Sequence, residues 1–413
     1  MKESFSLLVL CLLNCAPAFA QRAQCVPDPK INSILTGNWY LEYTGADLAK
    51  RYVRQIDGAS KVGAGIVDAS LAPADPGVCG RAVRTATHAL NADLKNIHGT
   101  LVANMMHGEH GASNQIRNVH SVIYGKWRTD NADIFPEMEE AARSGMRVLN
   151  LSIADEDKAP GVLYQDQKQK IAGYRKLDKA GVILVTVSGN RGEEHPDLFL
   201  GKALFPGIVV GSMSPRGAMS KFSQYGNKVS ILAPGESVVV KDDKGQLEVT
   251  SGTSFAAPLV AGSIVNTLQV LPELNRRNVE TLMAKTAINI SLKNQNQKML
   301  NSYKMVLVAA RIKDTLAKQK PNTNAEKEAL LEKLLADPKT YDFTAQAQTL
   351  MKRGQAQRSS QDCKSFLAAI ESHREAFLLT ESKEAALALS QLYHEAGLEV
   401  NGTFFAKLGK AGN

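Results

Sequence analysis

Five nearly continuous apolar runs recur between residues 60 and 235, each about as long as a strand. They read VGAGIVD (62–68), VHSVIYG (119–125), RVLNLSI (147–153), VILVTV (182–187) and GIVVGSM (207–213). Runs of this kind are buried on both faces, as strands of a parallel sheet are. Between the second and third, Ile134, Met138, Ala141 and Ala142 share one helical face before Gly145. Between the third and fourth, Tyr164, Ile171, Tyr174 and Leu177 do so before Gly181. Strands alternating with helices predict an α/β domain of three layers, a mostly parallel sheet with helices on both faces. Chemistry in such sheets gathers at the carboxyl ends of the strands.

The pattern changes after Ile312. KDTLAKQKPNTNAEK is polar and carries a proline, which predicts a linker over 313–323. Only helical patterns follow. The first holds Leu330, Leu331, Leu334 and Leu335 and stops at Pro338; others cover 343–353, 361–379 and 382–396. The expected organisation is an N-terminal segment over 21–59, the α/β domain over 60–312 and a small all-α module over 324–413. A chain of 413 residues, 44% hydrophobic and 22% charged, can bury cores of that size. Its 49 Lys and Arg against 41 Asp and Glu leave a net charge of +8. No dense basic block interleaved with aromatics is present, so the excess reads as a general surface property and nucleic acid is not an expected partner.

The chain opens MKESFSLLVLCLLNCAPAFAQ. Lys2, the apolar run Phe5–Leu13 and Ala18-Phe19-Ala20 predict a secretory signal cleaved after Ala20. The run is too short to span a bilayer, and no later run reaches the ~20 apolar residues required. The expectation is a secreted or periplasmic protein with no transmembrane segment. LLNC, ending at Cys15, offers the alternative of a lipoprotein signal, although Asn14 suits it poorly. With Cys11 and Cys15 in the signal, Cys25, Cys79 and Cys363 remain. Export allows one disulfide, and Cys25 with Cys79 is the expected pair. Cys363 shares a helical face with Phe366, Leu367 and Ile370 and reads as a buried thiol.

SGTSFAAPLVAG (251–262) raises the question of chemistry. Pro258 is tolerated only near a helix start, so a helix is predicted to begin at or just before Ser254. Unpaired N–H groups make that end positive, which suits a nucleophile or an oxyanion. A plain N-cap explains the stretch equally well. A nucleophile also needs a base and an orienting acid. His98, in NIHGTLVANM, precedes a small-residue helix. Asp68 ends the first apolar strand, where an unpaired carboxylate would be costly to bury. Asn190, in VILVTVSGNRG, follows the fourth strand, where its amide can donate to an oxyanion or simply make a turn.

These residues occur in motifs that resemble those of the subtilisin-like serine proteases. HGTLVA, GTSFAAP and SGN match the family's histidine, serine and oxyanion-asparagine motifs, in the order Asp68, His98, Ser254. VLNLSI is similar to its cleft strand, and LNSYKMVLVAA (300–310) to its closing helix. FPGIVVGSM, SKFSQYG and VSILAPG fall in the family's order. The resemblance covers about residues 36–312.

It implies a three-layer subtilisin-like domain and a serine endopeptidase acting on protein or peptide substrates. Ser254 would be the nucleophile, His98 the general base, Asp68 its orienting acid and Asn190 an oxyanion donor. Substrate would lie along Leu151, Ser152, Ile153, Ala154 and Asp155, and against Ser188 and Gly189. No cofactor is required. Calcium is allowed by the resemblance, but no ligands map, and no other metal site is expected: His107 and His110 in MHGEHG fit no zinc spacing and read as loop residues. Ala69-Ser70, Leu101 and Phe255 depart from the family's frequent residues. The short stretch between Ala20 and Asn38 leaves no room for the pro-domain many secreted subtilases carry. Ala154-Asp155-Glu156-Asp157 resembles the acidic rim of the kexin-like branch, which would favour a basic P1 residue; a broad apolar preference is the alternative. The helical module would bind a protein partner or substitute as a folding aid. The alternative function is a catalytically inactive subtilase fold used as a binding scaffold.

Overall fold

The computed structural model describes residue 25 and residues 38–68, 84–86, 97–108, 110–113, 119–123, 135–152, 164–194, 205–242, 244–292, 295–360 and 362–410. The expected signal peptide, Cys79, and Ile153, Ala154 and Asp155 with the rest of the acidic rim lie outside these residues.

The strands are β1 Gly63–Asp68, β2 Arg84–Ala86, β3 Val119–Ile123, β4 Met146–Leu151, β5 Ile183–Val187, β6 Gly207–Met213, β7 Ile231–Pro234, β8 Val238–Lys241, β9 Leu247–Thr250, β10 Ile288–Leu292 and β11 Gln295–Met299. The helices are α1 Trp39–Thr44, α2 Ala46–Gln55, α3 His98–Met106, α4 Phe135–Arg143, α5 Tyr164–Lys179, α6 Thr253–Val270, α7 Arg276–Thr286, α8 Ser302–Gln319, α9 Asn324–Ala336, α10 Thr344–Arg358, α11 Cys363–Thr380, α12 Lys383–Glu395 and α13 Glu399–Lys410. All five expected strands form. They join a nine-stranded sheet in the order β10-β11-β7-β6-β5-β4-β1-β3-β2. Every pair is parallel except β10 with β11. The chain builds outward from β1 on the β3 side, then returns to place β4 on the other. The sheet therefore reverses at β1 and β4, where Val67 lies opposite Leu151. Such a reversal opens a crevice at the carboxyl ends of the strands.

The two faces are covered by different helices. On one, Met138 and Ala141 of α4 and Leu177 of α5 pack with Val67, Leu149, Leu151 and Leu184. Phe135, Tyr174 and Phe205 add edge-to-face contacts at 4.9 and 5.0 Å. The other face carries α6, which is buried along nearly its whole length. It is apolar all round, as a fully enclosed helix must be. Each Leu, Ile or Val enclosed there contributes ~1.5–3 kcal/mol. Helix α3 meets α6 at Gly262, where a Cβ would stand 2.5 Å from the Met106 carbonyl oxygen. Only glycine permits that approach.

The C-terminal helices correct several expectations. Ile312 and Leu316 are both buried, so the apolar face of α8 continues to Gln319 and residues 313–319 are helix rather than linker. Lys320 ends it with φ 46°. Helix α9 is fastened by Lys285, whose Nζ donates to the Leu335 and Ala336 carbonyls at 2.7 and 3.0 Å. Two compact units result. Among the described residues, one comprises those of Tyr40–Ser214 and Ala218–Tyr341, so it includes α9; the other comprises those from Asp342 onward, Pro215–Gly217 and those up to Trp39. In the smaller unit Asp362 and Ser382 cap α11 and α12 through backbone N–H groups. Helix α13 lies beyond the last expected helix, although its Asn401, Gly402 and Gly409 are poor helix formers. Phe405 compensates, with its ring 5.4 Å from those of Phe377 and Tyr393.

The disulfide also differs from expectation: Cys25 pairs with Cys363. Cys363 is exposed, not a buried thiol. The buried face of α11 runs through Phe366 and Ala369, while Leu367 on the cysteine's side is 40% exposed.

Candidate active site

The carboxyl ends of β1, β4 and β5 and the amino ends of α3 and α6 carry the expected residues. Asp68 is the last residue of β1 and is 2% exposed. His98 is the first residue of α3, and its Nδ1 lies 2.8 Å from Asp68 Oδ1. A carboxylate only accepts, so Nδ1 carries the proton and Nε2 keeps the lone pair of the neutral ring. Burial disfavours the imidazolium, but the hydrogen bond and negative charge of Asp68 outweigh it and raise the His98 pKa above the ordinary histidine value.

Helix α6 begins at Thr253, one residue before Ser254, as the position of Pro258 led us to expect. Ser254 is half-buried, and the ring of Phe255 beside it lies 5.9 Å from that of His98. The Ser254 hydroxyl donates to the Ser152 carbonyl across a long 3.5 Å. The Ser152 hydroxyl in turn donates to the Ser254 carbonyl at 2.9 Å, and it accepts from Asn150 Nδ2 at 2.8 Å. Asn190 follows β5. Its Oδ1 accepts from the Thr253 N–H at 3.0 Å and the Thr253 hydroxyl at 2.9 Å, which ties the turn after β5 to the start of α6.

Gly189 makes that turn possible. Its φ is 106°, and a Cβ there would stand 1.6 Å from Gln224 Oε1. The Gln224 N–H donates to the Gly189 carbonyl at 3.1 Å, so the residue whose side chain excludes a Cβ at Gly189 also braces the turn.

The expected substrate residues divide. Ser152 lies at the site. Leu151 turns its side chain into the core with Met138 and Ala141 of α4. Ser188 is fully buried, with its hydroxyl 3.4 Å from that of Ser223. Sequence reasoning gave no role to Thr253, Gln224 or Asn150. Asn150 carried a signal, as a polar residue inside an apolar strand. His107 and His110 fall in the loop after α3, held by Lys50 through the Gly108 and Gly111 carbonyls at 3.3 and 2.8 Å. Among the described residues no group of three or more His, Cys, Asp or Glu is placed to hold a metal ion.

Known proteins resemble this chain in sequence and fold. The family model described as the subtilase family matches residues 45–325. Subtilisin DY of Bacillus licheniformis is 26% identical over 242 residues, which is 56% of this chain and 85% of the relative. Subtilisin Savinase of Lederbergia lenta is 28% identical over 162 residues, 38% of this chain and 55% of the relative. Among solved structures, a cold adapted subtilisin-like serine proteinase superposes with a TM-score of 0.50 at 22% identity, covering 60% of this chain and 90% of its own. The nisin leader peptidase NisP from Lactococcus lactis superposes with a TM-score of 0.53 at 15% identity, covering 67% and 94%. At these identities the superpositions speak for the fold.

Proposed function

The chain belongs to the subtilase family and is a serine-type endopeptidase; on that premise we propose that it cleaves peptide bonds through an acyl-enzyme on Ser254. The observation that carries this reading is the 2.8 Å bond from His98 to Asp68, on the strand next to the one whose end is bonded to Ser254.

In the proposed mechanism Ser254 Oγ turns from its weak acceptor, the Ser152 carbonyl, toward His98 Nε2. Such bonds tighten when substrate binds. Oγ attacks the peptide carbonyl carbon, and its proton passes to Nε2. Asp68 keeps the imidazole in the tautomer that can accept and stabilises the imidazolium. The oxygen of the tetrahedral intermediate is held by the Ser254 backbone N–H and by the NH₂ of Asn190, whose oxygen is already engaged by Thr253. The imidazolium then protonates the leaving amine, and water repeats the sequence to release the acid. A fluorophosphonate label tests this: it should modify the parent protein and not Ser254→Ala. Equal labelling of both would refute the nucleophile, and an unlabelled parent would favour the inactive scaffold.

We also propose export, with Met1–Ala20 as the signal. The disulfide between Cys25 and Cys363 suits an oxidising compartment, and among the described residues no helix is long and apolar enough to cross a membrane. Sequencing of the exported protein should begin at Gln21. A lipid-modified Cys15 would overturn cleavage after Ala20.

A further inference from the structure

Pro258 lies inside α6, four residues after Ser254. In an α-helix the carbonyl of residue i accepts from the N–H of residue i+4. Proline has no N–H, and its ring crowds the carbonyl of residue i−4. The Ser254 carbonyl is thus denied its helical partner and pressed outward from the helix. A buried carbonyl left unbonded is costly. Here it is met from outside the helix by the Ser152 hydroxyl at 2.9 Å. That hydroxyl is itself oriented by Asn150 Nδ2 at 2.8 Å. Asn150 is fully buried and Ser152 is 4% exposed.

We infer that Asn150, Ser152 and Pro258 are positioning residues that fix the backbone of Ser254 against the carboxyl end of β4. The inference rests on Ser254 being the nucleophile. Pro258 releases the carbonyl, Ser152 captures it, and Asn150 points the capturing hydroxyl. The asparagine in an otherwise apolar strand and the proline in an otherwise regular helix thereby share one explanation. The bond joins the two elements whose separation sets the attack distance: the strand along which substrate would lie, and the helix that carries the attacking oxygen. A misplacement of about 1 Å costs about a hundredfold in rate, so a partial slackening of this link should cost about tenfold.

The test compares four proteins: the parent, Ser152→Ala, Pro258→Ala and the double variant. Pro258→Ala restores an N–H that can bond the Ser254 carbonyl, and alanine is the better helix former, so the fold is retained. The readout is the second-order rate of fluorophosphonate labelling. This small reagent makes no use of peptide subsites, so it reports the placement of Ser254 rather than substrate binding. Ser152→Ala should label about tenfold more slowly. With peptide substrate the same variant should lose kcat more than it raises KM, since a lost binding contact alone raises KM. Pro258→Ala should label severalfold more slowly, because the carbonyl swings back to the helix. Adding Ser152→Ala to Pro258→Ala should then change the rate little, since the link is already displaced. An equal loss from Ser152→Ala in both backgrounds, or a parental rate in either single variant, would overturn the inference. Labelling of Ser254→Ala would overturn the underlying assignment instead.

Discussion

Replacing Asp68 by Asn changes a single side-chain atom at the end of β1 and should remove most of the activity. The carboxylate is 2% exposed and meets His98 Nδ1 at 2.8 Å. In the proposed mechanism it has two effects that an amide cannot reproduce. As an acceptor it holds the proton on Nδ1, which leaves Nε2 able to take the serine proton. The NH₂ of Asn would donate to Nδ1 and move the ring proton to Nε2, where it blocks that step. The carboxylate also stabilises the imidazolium of the transition state. Loss of both should lower kcat by about 10⁴-fold, or roughly 5 kcal/mol of barrier. The pH profile supplies an independent sign. The base must be neutral, so kcat/KM rises as pH climbs through the His98 pKa. Asp68 raises that pKa against the opposing effect of burial, which places the parent's acid limb above the ordinary histidine value. In Asp68→Asn only burial remains, and the residual activity should show its limb at lower pH. The assay is kcat/KM on a peptide substrate from about pH 4 to 9. Activity within tenfold of the parent, with the acid limb unmoved, would refute the reasoning.

Asn190→Ala should lower kcat by ~10²–10³ with little change in KM, because the donor acts mainly in the transition state; an unchanged kcat would remove Asn190 from the oxyanion hole. Gly189→Ala must accept φ 106° and a Cβ 1.6 Å from Gln224 Oε1, so it should cost about 2–4 kcal/mol in thermal unfolding, part of it recovered by adding Gln224→Ala. A parental melting temperature would show that the turn is not braced as described. Peptide mapping without reduction should yield a crosslinked fragment holding Cys25 and Cys363, whereas a Cys25–Cys79 fragment would restore the pairing expected from sequence.

Asp68, His98, Asn190 and Ser254 were legible because each stands at the end of an element that its own neighbours define. Asp68 closes an apolar run, His98 and Ser254 open small-residue helices, and Asn190 follows a strand. Local pattern marks such positions as candidates, and the motifs resembling those of the subtilisin-like proteases supplied the expected roles. What braces them was not legible, because the partners are remote in the chain: Thr253 meets Asn190 across 63 residues, and Ser152 meets Ser254 across 102. The direction of the Leu151 side chain was not legible for a related reason. A strand buried on both faces shows no alternation, so nothing in VLNLSI told that Leu149 and Leu151 face α4 while Asn150 and Ser152 face α6. The disulfide was lost in the same way, since the apolar positions of α11 are compatible with more than one buried face and only the folded unit selects Phe366 and Ala369.

The local exceptions were the better guides. Asn150 interrupts the apolar run of β4 and Pro258 removes one backbone bond from α6, and each is unfavourable when judged within its own element. A polar side chain retained in a buried strand needs a partner, and a proline retained in a helix leaves a carbonyl that needs one. The hydroxyl of Ser152 serves both, since it accepts from the amide nitrogen of the first and donates to the carbonyl released by the second. Two local costs are thus offset by one link at the place where the geometry of attack would be decided.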